Sequence, residues 1–195
     1  TAETKLGFIV LDKPFLMFFE YSGLKYFPVK TDLFGSKISY HDVKPGKVIK
    51  GNNYKVTLAP LFHPNGCYAY RIDYQEKSMV FSTDCEHYED RPNTSLIGLC
   101  KDADVLIYDA QYTEEEYYGL NGQFSRKGWG HSTMQEGVKV AEAANVKKLV
   151  LFHHDPSHDD NFIRQIEVEC RQLFPKSMAA YEGLQIDLFQ DALPK

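Results

Sequence analysis

Apolar and polar positions follow two different rhythms along the chain. Up to residue 77 the rhythm is that of strands. Leu6–Leu11 and Phe15–Tyr21 are short apolar runs, Lys37–His41 alternates, and Tyr54–Leu58 and Tyr68–Tyr74 carry aromatic and β-branched residues at a spacing of two. Antiparallel strands or hairpins are expected there. From Ser78 onward, apolar runs at Met79–Ser82, Val105–Tyr108 and Leu149–Phe152 are separated by stretches of helical period. That pattern predicts βαβ units, hence an α/β fold with a parallel or mixed β-sheet and flanking helices.

Two helices can be argued from their ends. Ser132-Thr133 followed by Gln135 and Glu136 offers overlapping capping boxes, and Val138, Ala141 and Ala144 then recur at helical spacing. A helix should start just after His131. Asp159-Asp160 supplies an acidic start for a second one, whose apolar stripe of Ile163, Ile166, Cys170, Leu173 and Phe174 stops before Pro175. That stripe is expected to pack on the sheet.

No internal repeat or linker interrupts the 195 residues, which read as one domain over 1–195. A chain of this size buries roughly 70% of its surface without disulfides or structural metals. Cys67, Cys85, Cys100 and Cys170 show no paired spacing and are expected as reduced thiols. The longest uncharged apolar run, Phe15–Phe19, is too short to span a membrane, and no charged-then-apolar leader is visible, so a soluble cytoplasmic protein is expected. The 22 basic against 27 acidic side chains leave a net charge of −5. Extended nucleic acid is disfavoured as a partner, and a small anionic substrate is preferred. The chain opens at Thr1 without Met, which suggests a piece of something longer.

The chemistry lies where strands end. His63 follows Val56–Phe62, Asp84 follows Met79–Thr83, Asp109 follows Val105–Tyr108, and His153-His154 follows Leu149–Phe152. In an open α/β sheet, ligands collect at the carboxyl ends of strands. Two imidazoles and one carboxylate, His63, Asp84 and His153, would form a ligand set for a divalent metal, zinc first and manganese or iron as alternatives. Such an ion would generate a metal-bound hydroxide as nucleophile. Metal-bound imidazoles often donate their second N–H to a carboxylate, a role open to Asp155, with His154 alongside. His87 is a further ligand candidate, and His41 reads as a surface residue.

The run Gly128-Trp129-Gly130-His131-Ser132-Thr133 enters a helix. Free backbone N–H groups there could hold a phosphate against Ser132 and Thr133, with His131 placed to protonate a leaving oxygen. On local sequence alone, Ser132 or Thr133 merely capping the helix is an equal reading.

The ordered set His63-Pro64-Asn65-Gly66, Phe81-Ser82-Thr83-Asp84, Ile107-Tyr108-Asp109-Ala110, Gly130-His131-Ser132-Thr133 and Leu149–His153 resembles the later half of the metallo-β-lactamase-fold hydrolases. More narrowly it is similar to their phosphodiesterase branch, which includes ribonuclease Z, over about Tyr26 to Leu188. The resemblance implies a metallo-β-lactamase-like αββα sandwich, of which this would be the C-terminal portion. It carries His63, Asp84 and His153 over as metal ligands, Asp84 as the bridging one. It also implies that Asp109 and His131 work together as catalytic residues on leaving-group protonation, although Tyr108 and Gln111 depart from the ribonuclease Z pattern.

That family's leading His-x-His-x-Asp-His cluster does not occur between Thr1 and Lys195. A two-metal site would need those four ligands from elsewhere. The implied activity is hydrolysis of a small phosphodiester such as a cyclic nucleotide. The alternative is a non-catalytic domain of the same fold that binds an anionic ligand or a protein partner. An uncovered sheet edge or apolar face would invite a homo-oligomer.

Overall fold

A computed structural model describes residues 7–10, 39–42, 46, 48–190 and 193. They fall in two compact units, Thr1–Lys47 and Val48–Lys195. In the first, β1 (Gly7–Val10) pairs in parallel with β2 (Ser39–Asp42). The antiparallel expectation is corrected for this pair. Parallel neighbours need a crossover of a dozen residues or more, and positions 11–38 are numerous enough to supply one. The strand expected at Phe15–Tyr21 lies outside the described residues, as does the side chain of His41.

The second unit is built on a seven-stranded sheet in sequence order. Its strands are β3 (Val48–Lys50), β4 (Tyr54–Leu61), β5 (Cys67–Tyr74), β6 (Lys77–Ser82), β7 (Val105–Asp109), β8 (Leu149–Phe152) and β9 (Ser177–Ala179). β3 to β6 pair antiparallel, as short loops between neighbours require. β6 to β9 pair parallel, as the intervening helices require. Since β4 and β6 are each antiparallel to β5, both run in the direction of β7 and β8. The carboxyl ends of β4, β6, β7 and β8 therefore share one edge of the sheet.

The helices are α1 (Thr94–Cys100), α2 (Glu114–Tyr118), α3 (Met134–Ala143) and α4 (Asp160–Leu173). Thr133 caps α3 by accepting from the Glu136 N–H, and Asp159 caps α4 by accepting from Phe162 at 2.8 Å. Both starts agree with the sequence. Period-two alternation splits the sheet cleanly: Val80, Leu106, Leu149 and Leu151 point into a core with Leu96, Cys100, Val138, Ala141, Ile166 and Cys170. On the opposite face Val105, Val150 and Met178 are buried, but Met79 and Ile107 only partly, with Leu184, Ile186 and Leu188 lying over them. The α4 stripe is interrupted: Ile166 and Cys170 are buried and Phe174 packs against the core, whereas Leu173 is 54% exposed. No helix among the described residues is long and apolar enough to cross a membrane.

One ion cluster ties the strand starts together. Asp104, just before β7, accepts the Ser78 N–H at 2.7 Å and pairs with Lys147 at 2.9 Å and Lys77 at 3.5 Å. Burial works to raise its pKa, but the Lys147 hydrogen bond, the Ser78 N–H and the two ammonium charges outweigh it and hold it below the ordinary carboxylate value. A depressed folded-state pKa gives stability that is present above the unfolded-state value and is lost as pH falls through the folded one. Asp104→Asn should therefore cost about 1 kcal/mol at pH 7. The gap to the parent should close as pH drops below about 4 in denaturant titrations. A gap that stays constant down to acid would show that the charge does not contribute.

Candidate functional site

Each strand end on the common edge delivers one side chain. After β4 the chain turns at His63, whose carbonyl accepts the Gly66 N–H at 2.9 Å. The His63 ring is only 15% exposed, with Nδ1 accepting from the Asn65 N–H at 3.2 Å and Nε2 lying 3.2 Å from Asp84 Oδ1. Asp84 follows β6 in the left-handed region, at φ 60°, and its carboxylate is 51% exposed. His153 follows β8 in the same conformation, at φ 63°. In both cases the reversed backbone turns a side chain off the strand's own alternation and onto the edge.

Asp109 ends β7 and is fully buried. Its Oδ1 accepts from the Ser132 N–H at 3.0 Å and from Gln111 at 3.2 Å. Its Oδ2 accepts from Cys85 at 3.2 Å and meets His131 Nδ1 at 3.1 Å. The carboxylate is thus the hub that fixes the loops after β6 and before α3. His131 stacks on His153 with ring centroids 4.9 Å apart, and the Tyr112 ring stands edge-on to it at 5.8 Å. Burial disfavours charge on His131, yet the bond to Asp109 and the charges of Asp109, Asp84 and Glu86 prevail, so its pKa lies above the ordinary imidazole value.

The donors that come together differ slightly from the expected trio. Asp84, His131 and His153 offer ligand atoms all within 4.8 Å of one another, and His63 joins them through Asp84. His131 Nδ1 is 3.8 Å from Asp84 Oδ1. Imidazole nitrogens around a carboxylate oxygen are a donor chemistry that suits zinc, manganese or iron.

Ser132 and Thr133, expected to face substrate, are buried and committed elsewhere. Ser132 Oγ lies 2.9 Å from His87 Nδ1 and 3.1 Å from the Tyr108 hydroxyl, and Thr133 caps α3. Three of the loop's N–H groups are engaged as well: Ser132 donates to Asp109, while Gly128 and Gly130 donate to Glu86. These three groups form an internal carboxylate clamp. His87 is buried against Tyr117, with ring centroids 4.4 Å apart, rather than among the donors. Asp155 accepts from the Ser157 N–H and hydroxyl at its Oδ1, closing a turn. His154 is half-buried, and burial pulls its pKa down. Neither residue hydrogen-bonds a candidate ligand among the described residues. His158 pairs with Glu116 at 3.0 Å, next to the Arg126 contact with the same carboxylate at 2.9 Å.

A family model described as a beta-lactamase superfamily domain matches residues 23–154. Ribonuclease Z of Gemmatimonas aurantiaca is 34% identical over 98 residues, 50% of this chain and 29% of that protein. Ribonuclease BN of Cronobacter sakazakii is 24% identical over 203 residues, covering 79% of this chain and 65% of the relative. The chain thus spans less than two thirds of either relative. Among solved structures, zinc-bound PqqB from Methylobacterium extorquens superposes with a TM-score of 0.68 at 14% identity, over 95% of this chain and 63% of that one.

Proposed function

From the premise that this chain belongs to the β-lactamase superfamily, we propose that it is a metal-dependent hydrolase whose substrate is a small phosphodiester such as a cyclic nucleotide. The observation that carries this reading is the meeting of His63, Asp84, His131 and His153 at one sheet edge with Asp109 buried behind them. His63, Asp84 and His153 would hold the cation. When bound, a divalent ion supplies positive charge for phosphoryl oxygens and lowers the pKa of water toward neutrality. The ribonuclease names of the two relatives support phosphodiester chemistry. The net charge of −5 supports a small substrate over a long polyanion.

The protein's own contribution is proton placement. Asp109 accepts from His131 Nδ1, which fixes the tautomer and leaves Nε2 as the atom that can hand a proton to a departing alkoxide. The raised pKa favours the protonated ring more than in an ordinary imidazole. His131→Ala should accordingly retain bound metal while turnover falls by about 10²–10⁴-fold. If metal content falls together with turnover, His131 is a ligand instead, as its closeness to Asp84 and His153 also allows.

The test of the reaction class combines elemental analysis with turnover. Protein expressed with zinc or manganese should carry metal and cleave bis(p-nitrophenyl) phosphate and cyclic nucleotides faster than p-nitrophenyl acetate. Metal near zero and no phosphodiester cleavage would leave the non-catalytic domain that binds an anion or a protein, the reading favoured by the absent His-x-His-x-Asp-His cluster.

A further inference from the structure

Glu86 is nine-tenths buried and pairs with no cation among the described contacts, yet its carboxylate has three donors. Oε1 accepts from the Gly128 N–H at 2.7 Å and from the Tyr117 hydroxyl at 2.7 Å, and Oε2 accepts from the Gly130 N–H at 3.1 Å. Its own backbone N–H donates to the Phe62 carbonyl at 2.8 Å, one residue before His63. One residue therefore grips the His63 segment through its main chain and the His131 segment through its side chain.

What the grip achieves is visible at Gly130. Its backbone sits at φ 94° and is pressed on the His63 ring so closely that a Cβ would overlap Cδ2, lie 2.5 Å from Nε2 and 3.0 Å from Pro64 Cδ. His131 is the next residue, its ring centroid 6.1 Å from that of His63. We infer that Glu86 is a positioning residue that sets the separation of the His63 and His131 imidazoles by clamping Gly128 and Gly130 against the His63 turn. Its carboxylate meets two backbone N–H groups and a tyrosine hydroxyl, none of them a candidate ligand. The side chain is a buried carboxylate rather than an amide because the three groups that face it are all donors, and only a carboxylate accepts at both oxygens.

Glu86→Gln separates this role from a merely structural one. The amide oxygen can still accept from Gly128 and Tyr117, but its NH2 then faces the Gly130 N–H, donor against donor. In the metal-free protein, the amide signals of Gly130 and His131 and the ring protons of His63 should shift together in NMR spectra, while signals from α4 and β9 stay in place. This readout is independent of the proposed hydrolase reading. The second readout rests on it: Co²⁺ should bind about 10–100-fold more weakly, with an altered visible absorption spectrum, as loss of an outer hydrogen bond predicts.

A shifted Gly130 amide with an unmoved His63 ring would overturn the inference, as would unchanged Co²⁺ affinity and absorption in a parent that binds the ion. If the parent binds no Co²⁺, the metal reading fails and the His63 ring shift alone decides. Should the variant not fold, hydrogen exchange on the unmodified protein takes over. Slow exchange of the Gly128 and Gly130 N–H groups supports the clamp, and exchange at the rate of an unstructured glycine refutes it.

Discussion

Asp84→Ala should fold and yet lose its bound metal and its turnover together. The side chain is 51% exposed, so little packing is removed. Its left-handed backbone at φ 60° is tolerated by aspartate better than by alanine, a cost of about 1 kcal/mol. In a domain of this size that lowers the melting temperature by about 2–4 °C. The consequence for the site is far larger. Asp84 is the carboxylate in the metal-competent group, 3.2 Å from His63 and 3.8 Å from His131, and without it that group offers imidazoles but no carboxylate ligand. Elemental analysis should show metal near background and phosphodiester cleavage should vanish, while thermal unfolding stays close to the parent. A variant that kept one equivalent of metal would end the assignment of Asp84 as a ligand.

Asp109→Ala should damage both stability and chemistry. The substitution strands the buried N–H groups of Cys85 and Ser132 and the partly buried one of Gln111, and removes the partner of His131. Buried donors left without an acceptor cost about 1–3 kcal/mol each, and partial relaxation brings the total to about 3–5 kcal/mol. The melting temperature should fall by roughly 10 °C or more. Turnover should drop at least as far as in His131→Ala, because the ring loses the acceptor that orients it. Asp109→Asn, whose oxygen can still serve one pair of donors, should fall between the parent and Asp109→Ala in a thermal melt. An alanine variant that melted within 2 °C of the parent, roughly the effect of a single kcal/mol, would show that the loops do not depend on this carboxylate.

Much of the site was legible because its signals are local. A polar residue placed directly after an apolar run marks a strand end, and this alone singled out His63, Asp84, Asp109 and His153. The βαβ rhythm implied that β6, β7 and β8 run in parallel, and it is pairing through β5 that brings the end of β4 to the same edge. What could not be read depends on distant partners. Glu86 looks like any loop glutamate until Gly128 and Gly130, more than forty positions away, are seen to donate to it. Ser132 and Thr133 are equal cap candidates in sequence, and only the buried contacts of Ser132 with His87 and Tyr108 leave the capping to Thr133. The parallel pairing of β1 with β2 is likewise not visible in the alternation within either strand.

The left-handed backbone shared by Asp84 and His153 has a practical corollary. Glycine, which has no Cβ to clash there, would sit more comfortably at both positions, by about 1 kcal/mol each. A laboratory search for heat-resistant versions of this protein, if it scored survival alone, would therefore drift toward replacing two of the proposed metal ligands. Any such screen needs a cation-binding or turnover filter from its first round.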